Sequence, residues 1–374
     1  MTPPPAARHP RRIPRRSPHR DPRRNPRRAP SRRLRAVVGA ALAAVLGTLW
    51  LAAAPAGARA DAGHRRAATA ATPVAAPARG SVGEPVLNQD FPDPDVVKVG
   101  GTYHAYATNT GGKNIQHATS RDLTHWSVDP GSVLPVLGAW AEELPGQVWA
   151  PEVYANGRGF TMQYTARDRA SGRQCVGVAL ASSPAGPFRP AGDAPLVCPV
   201  AAGGAIDAAS HTENGRRYLL WKSDGNCCQA DTWIHLQPTT WDGTRTTGDP
   251  VRLIRQDRDW EGALVEAPTL VKRGDRYVLF YSADAYGGDG YKIGYAVADA
   301  LTGPYRKAPG PLVTTETLAG AVHGPGGQDV VTGPGGRDRI LFHGWSPDGR
   351  GRVMYLADLV FEDGRPVVRG NPVR

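Results

Sequence analysis

Three features of this 374-residue sequence predict an all-β fold, a five-bladed β-propeller with four antiparallel strands in each blade. The first is a recurring hairpin, in which a carboxylate opens a short strand, a turn with glycine follows, and an apolar, aromatic strand returns. Its copies run from Asp93-Pro94-Asp95-Val96-Val97 to Tyr103-His104-Ala105-Tyr106, from Glu152-Val153-Tyr154 to Phe160-Thr161-Met162-Gln163-Tyr164, from Asp207 to Tyr218-Leu219-Leu220-Trp221, and from Glu266-Ala267-Pro268-Thr269-Leu270 to Tyr277-Val278-Leu279-Phe280-Tyr281. A looser fifth copy joins Asp329-Val330-Val331 to Ile340-Leu341-Phe342-His343. The second feature is the period. Tyr103, Phe160, Tyr218, Tyr277 and Ile340 follow one another at 57, 58, 59 and 63 residues, a spacing that marks a solenoid, propeller or array. The third is a further pair of strand-like runs after each hairpin, such as residues 115–119 before Trp126 and residues 293–297 before Tyr305. Four-stranded units repeated around an axis make a propeller.

The chain reads in order as follows. Residues 1–35 hold thirteen Arg and nine Pro against the single acid Asp21, and residues 36–55 form an apolar run that ends shortly before Ala58-Arg59-Ala60. A basic segment, an apolar core and a small-residue cleavage site make residues 1–60 a secretory signal. Ser31-Arg32-Arg33 partly matches a twin-arginine signal, which leaves the export route open. The alternative is an uncleaved membrane anchor, since the run is nearly long enough to span a bilayer; its Ala and Gly content favours cleavage. Residues 61–82 lack periodicity and read as a flexible linker. Residues 83–374 carry the repeats and form one domain large enough for a substantial core.

The leader also explains the charge. The full chain carries a formal +11, but residues 1–60 contain 14 Arg and one acid, and the remaining 31 basic and 33 acidic residues give a net of −2. A nucleic-acid footprint needs basic residues clustered on the folded domain and is not supported. A secreted (extracellular) monomer with no stable membrane association after signal cleavage is expected. Four Cys suit an exported protein. Cys175 opens the third strand of the second repeat and Cys198 closes the fourth, so in an antiparallel pair they lie at the same end and could bridge; Cys227 and Cys228 are adjacent and read either as a vicinal disulfide or as two thiols. Four Cys allow three pairings, and the sequence does not decide among them. Neither their spacing nor the compartment suits a Cys-built metal site.

The first strand of every propeller blade lines the central channel, so Asp93, Glu152, Asp207 and Glu266 are expected to crowd one end of it. An acid at a strand start is ordinarily a turn residue, but four at one phase of a repeat imply a shared site. Crowded, desolvated carboxylates should include at least one with a raised pKa, and separated acid and base pKa values are what glycoside hydrolysis requires. Phe91 and Trp149 stand beside them as candidates to stack on a sugar face, or as core aromatics.

Phe91-Pro92-Asp93-Pro94-Asp95, Val148-Trp149-Ala150-Pro151-Glu152, Gly204-Ala205-Ile206-Asp207, Val265-Glu266-Ala267-Pro268 and Gly324-Pro325-Gly326-Gly327-Gln328 resemble, in order and spacing, the blade-opening motifs of glycoside hydrolase family 43, the five-bladed arabinanases, arabinofuranosidases and xylosidases. The resemblance covers residues 83–374. It implies inverting cleavage with Asp93 as general base, Glu266 as general acid, and Asp207 as the carboxylate that orients the acid and adjusts its pKa. Apolar neighbours Val265 and Ala267-Pro268 suit an acid at Glu266. Glu152 matches a position the family does not use as a catalytic acid, and reads as structural or substrate-positioning. Phe91, Trp149, Glu152 and Gln328 are the substrate-binding candidates.

Many relatives place a His directly after Gly-Pro-Gly at the fifth blade, facing an ion in the channel; here that place is Gly327, followed by Gln328, with His323 and His343 nearby. No cofactor is expected to be required, and room is left for a structural Ca or other ion in the channel. The Gly-Pro-Gly-Gly-Gln form, Asp207-Ala208-Ala209 and the compact length resemble the exo-acting α-L-arabinofuranosidases, so release of arabinose from an arabinose-containing oligo- or polysaccharide is the expected activity. A β-xylosidase, an endo-arabinanase, a fructoside-cleaving retaining propeller and a non-catalytic sugar-binding propeller remain alternatives, and the natural polymer is left open.

Overall fold

The computed structural model describes Val82 and residues 84–370. The expected signal segment lies outside the described residues, and of the expected linker only Val82 lies within them. Val82 is buried in the apolar cluster that holds Val278, Phe280, Ile340 and Phe342, so packed chain begins inside the stretch read as linker.

Five four-stranded antiparallel sheets follow one another along the chain, each in simple up-and-down order. Their innermost strands are Asp95–Val99, Trp149–Ala155, Ala205–Glu213, Val265–Arg273 and His323–Thr332. The return strands carry the apolar, aromatic runs: Phe160–Arg167 and Arg276–Ala283 are buried along nearly their whole length because neighbouring blades cover both faces. Outer strands shrink to two residues in the first, second and fourth blades, which leaves little exposed edge for unwanted pairing. The ring closes where Val96 N–H of the first blade donates to Asp329 Oδ2 of the fifth (2.9 Å) and where Leu87 bridges Met354. Cys175 bonds Cys198 and Cys227 bonds Cys228.

One local feature recurs at the mouth of the ring. Asp93, Ala150, Asp207, Ala267 and Gly327 sit at the same step of the five blades, and all have positive φ, from 42° to 57°. The inner-strand register shifts beside Ala150, Ala267 and Gly327. Such a bulge inserts a residue and re-aims its side chain. Proline follows at Pro94, Pro151 and Pro268, where its missing N–H is no loss because the ladder is already broken. Left-handed backbone costs an ordinary L-residue about 1–2 kcal/mol, so Asp93, Ala150, Asp207 and Ala267 are four strained residues at one end of the channel, while Gly327 adopts the conformation freely.

Candidate active site

The bulge sorts the carboxylates into two tiers. Asp93 and Asp207 occupy the bulge position itself, and Glu266 stands one residue before it. With Trp149 and Ile206, these three line an open cavity of about 590 Å³. Asp95, Glu152 and Asp329 stand two residues after the bulge, do not reach the open cavity, and line, together with Asp93 and Asp207, a much narrower adjoining space of about 40 Å³. Water needs roughly 10–15 Å³ of such space, so the lower channel admits a few waters and no sugar. The expectation that Glu152 shares the phase of Asp93, Asp207 and Glu266 is therefore corrected: Ala150 holds the bulge position of that blade, and Glu152, two residues later, lies in the lower tier with Asp95.

Each lower carboxyl binds the backbone of the next blade at the same place, three residues past that blade's bulge. Asp95 Oδ2 accepts from Val153 N–H (2.8 Å), Glu152 Oε1 from Ser210 N–H (2.9 Å), and Asp329 Oδ2 from Val96 N–H (2.9 Å). Burial raises all three: Asp95 stands well above the usual range, Glu152 is pushed up to about 7 and Asp329 to about 6, with the negative charge of Asp329 adding to the first two. Asp95 and Glu152 also hydrogen-bond to each other, which opposes the rise at Glu152.

In the upper tier Asp93 Oδ2 accepts from Thr108 Oγ1 (2.6 Å), and Thr108 Oγ1 in turn accepts from Ala150 N–H (2.8 Å). Arg352 Nη1 lies 3.6 Å from Asp93 Oδ1. Asp207 Oδ2 accepts from Ala267 N–H (2.9 Å). Burial, then the charge of Glu266, push Asp207 up to about 8 while Lys222 pulls it down. Glu266 is not in apolar surroundings as its sequence neighbours suggest. Its Oε2 accepts from the fully buried Lys222 Nζ (2.9 Å) and its Oε1 from Tyr291 Oη (2.8 Å).

Two other substrate-binding expectations are also corrected. Phe91 is fully buried in the cluster of Leu87, Tyr103 and Leu341, because its side chain packs under the first blade. Gln328 is buried with its amide engaged: Oε1 accepts from Ser282 Oγ (2.9 Å) and Nε2 donates to Ala267 O (2.6 Å). Trp149 is the one candidate aromatic on the cavity wall, where its indole N–H donates to Gly146 O (2.8 Å).

At the fifth-blade opening Gly327 offers no side chain that could ligate an ion. A Cβ on Gly327 would fall 2.5 Å from the His343 ring and 2.8 Å from Asp93 Oδ1, so no side chain fits. Asp93 N–H donates to His343 Nδ1 (3.0 Å), which places the ring proton on Nε2 and leaves that nitrogen without a lone pair for a metal. Among the described residues the one compact group of three potential ligands is Asp168, Cys175 and Cys198, whose cysteines are bonded to each other.

Sequence reasoning missed Lys222, Tyr291, Thr108 and Arg352. Lys222 had a signal: it continues the inward alternation of Tyr218 and Leu220, where a cation is out of place unless paired. The others reach the site from outside the repeated motif and carried none.

A five-bladed propeller with three carboxyls from three blades around one sugar-sized cavity defines a glycoside-cleaving class of protein. A model of the glycosyl hydrolases family 43 matches residues 82–366, and the chain belongs to that family. It is 26% identical over 253 residues to an extracellular endo-alpha-(1->5)-L-arabinanase of Thermotoga petrophila, covering 57% of this chain and 50% of that protein, so it spans about half that relative's length. It is 27% identical over 272 residues to a probable arabinan endo-1,5-alpha-L-arabinosidase A of Aspergillus flavus, covering 67% of this chain and 81% of the relative. Among solved structures, a thermostable family-43 glycoside hydrolase aligns with TM-score 0.68 and 30% identity over 78% of this chain and 96% of that one. An endo-1,4-beta-xylanase from Bacteroides thetaiotaomicron aligns with TM-score 0.65 and 27% identity, covering 77% of this chain and 97% of that one.

Proposed function

We propose that this protein is a secreted, inverting glycoside hydrolase that cleaves α-L-arabinofuranosyl linkages in arabinan-type polysaccharide, with Asp93 as general base, Glu266 as general acid and Asp207 as the carboxyl that orients the acid. The observation that carries the reading is the meeting of these three side chains in one cavity while the other channel carboxyls are set apart below. Thr108 occupies one oxygen of Asp93, which leaves the other to take a proton from water. Inversion requires base and acid carboxyls roughly 6.5–9.5 Å apart with water between base and sugar, and placement on the first and fourth blades suits such a gap. The substrate class rests on the names of the arabinan-cleaving relatives; secretion rests on the leader and on the extracellular relative.

Release of single arabinose units is the mode suggested by the sequence motifs. A second reading, cleavage within the chain, draws on the cavity's extension: Asn109 and Gly146 belong both to the catalytic cavity and to an adjoining groove of about 470 Å³ bordered by Val136 and Leu144, room for further sugars. Incubation with aryl α-L-arabinofuranosides and debranched arabinan tests both. Arabinose alone from the polymer supports exo action, and a ladder of oligosaccharides supports the second reading. The first-formed product should be the inverted anomer by NMR; retention, or no turnover of any arabinoside, would overturn the proposal.

A further inference from the structure

Lys222 is a fully buried cation that reaches from the third blade into the fourth. It lies at the upper end of the strand Arg216–Ser223, opposite the inner-strand bulge that holds Asp207, and its Nζ is 2.9 Å from Glu266 Oε2 and 3.5 Å from Asp224 Oδ1. A buried ammonium is strongly unfavourable unless its partners compensate. Such a group at a cavity wall invites a chemical reason beyond packing. Lysine supplies three donors and no acceptor, whereas a tyrosine hydroxyl does both. Glu266 therefore meets two unlike neighbours. Oε2 faces Lys222, which can only donate, and Oε1 faces Tyr291, whose hydroxyl can donate to a carboxylate or accept from a carboxylic acid. Tyr291 is itself fixed by stacking on His343, with ring centroids 5.7 Å apart. A proton on Oε2 would point at an ammonium; a proton on Oε1 meets an acceptor and the open cavity.

We propose that Lys222 is a positioning residue for the cleavage reaction, which confines the acid proton of Glu266 to Oε1 and sets the upper pH limit of activity. The inference rests on Glu266 being the general acid. The charged and titratable groups around the pair are Asp207 and Asp224 on the same blade, Tyr291 on the fourth, and Asp93 with its neighbours His343 and Arg352 across the cavity. Of the groups touching Glu266, Lys222 alone is a cation, and an adjacent cation favours the ionised form of a carboxyl. Taking it away lets Glu266 keep its proton to higher pH while freeing Oε2 to carry that proton in the wrong place.

The test is the pH profile of kcat/KM in the full-length secreted protein for Lys222→Met, Lys222→Gln and Lys222→Arg, on an arabinoside with a poor leaving group and one with a good leaving group. The neutral variants should move the alkaline limb upward by about one to three pH units, the range by which a neighbouring cation shifts a carboxyl. They should also slow the poor-leaving-group substrate at least tenfold more than the good one. Lys222→Arg, another donor-only cation, should keep the limb in place. Lys222→Gln keeps a neutral hydrogen-bond donor on this side chain and serves if Lys222→Met does not fold. An unmoved limb in the folded neutral variants, or an equal shift in Lys222→Arg, would overturn the inference, because a purely structural lysine changes stability without moving the limb. Wild-type protein that turns over no arabinoside would instead strike the functional reading itself.

Discussion

Asp93 and Asp95 are the same residue type two positions apart, yet they belong to different parts of the molecule. Asp93 sits on the bulge and faces an open cavity; Asp95 points into a channel that holds only water-sized space and binds the next blade's backbone. The pattern extends around the ring, with Asp93, Asp207 and Glu266 above and Asp95, Glu152 and Asp329 below. A carboxyl takes part in chemistry when it can reach solvent and substrate, and becomes a fastening between blades when it is enclosed and given a backbone donor. The inserted residue at each blade opening separates the two outcomes.

The largest expected effect is on the upper tier. Glu266→Gln should slow glycosides with poor leaving groups by about 10²–10⁴-fold, the worth of positioned acid catalysis, and should matter less when the leaving group departs unaided. Asp93→Asn should impair both kinds of substrate alike, with little change in melting temperature because the exchange preserves shape. Equal defects for all substrates in both variants would mean that these roles are wrongly assigned.

Gly327→Ala probes the place where the tiers meet. With φ at +57° and the His343 ring and Asp93 carboxylate within 2.8 Å of the new Cβ, the change combines left-handed strain and overpacking, together about 2–4 kcal/mol. Differential calorimetry should show a lower melting temperature and kinetics a lower kcat, since Asp93 must move. Wild-type behaviour in both would show that the opening is looser than described.

Glu152→Gln addresses the lower tier alone. It keeps an acceptor for Ser210 N–H and removes a carboxyl pushed up to about 7. A carboxyl whose pKa is raised by folding binds its proton more tightly in the folded state, so its ionisation costs stability above pH 7 and costs nothing below its unfolded value near 4.5. Relative to wild type the variant should therefore be more stable at pH 8, by about 1–3 kcal/mol, and the two should converge near pH 5. The difference is the quantity to measure, because His104, His211, His235 and His343, all lowered by burial, make both proteins lose stability on acidification. A variant less stable than wild type at pH 8, or a large loss of kcat, would place Glu152 with the upper tier.

The smallest effect is expected at Trp149. Trp149→Ala should raise KM by about 2- to 10-fold, from roughly 0.5–1.5 kcal/mol of stacking, with kcat nearly unchanged. Phe91→Ala, by contrast, should act on stability alone, by about 3–5 kcal/mol for a fully buried aromatic. A KM effect at Phe91 would undo the distinction between wall and core.

The sequence by itself determined the propeller and its five blades and brought four acids, Asp93, Glu152, Asp207 and Glu266, to the blade openings, because each depends on a pattern that repeats along the chain: strand alternation, a period near 58 residues and an acid at the opening of a repeat. Tertiary structure alone decided which acids share a level, and which cation and hydroxyl attend them. A bulge moves the phase by a residue without changing the composition, so Glu152 reads like Glu266 until the backbone is seen to turn at Ala150. Lys222 and Glu266 lie 44 residues apart on different blades, at unlike steps of the repeat, and their meeting depends on how two sheets pack side by side.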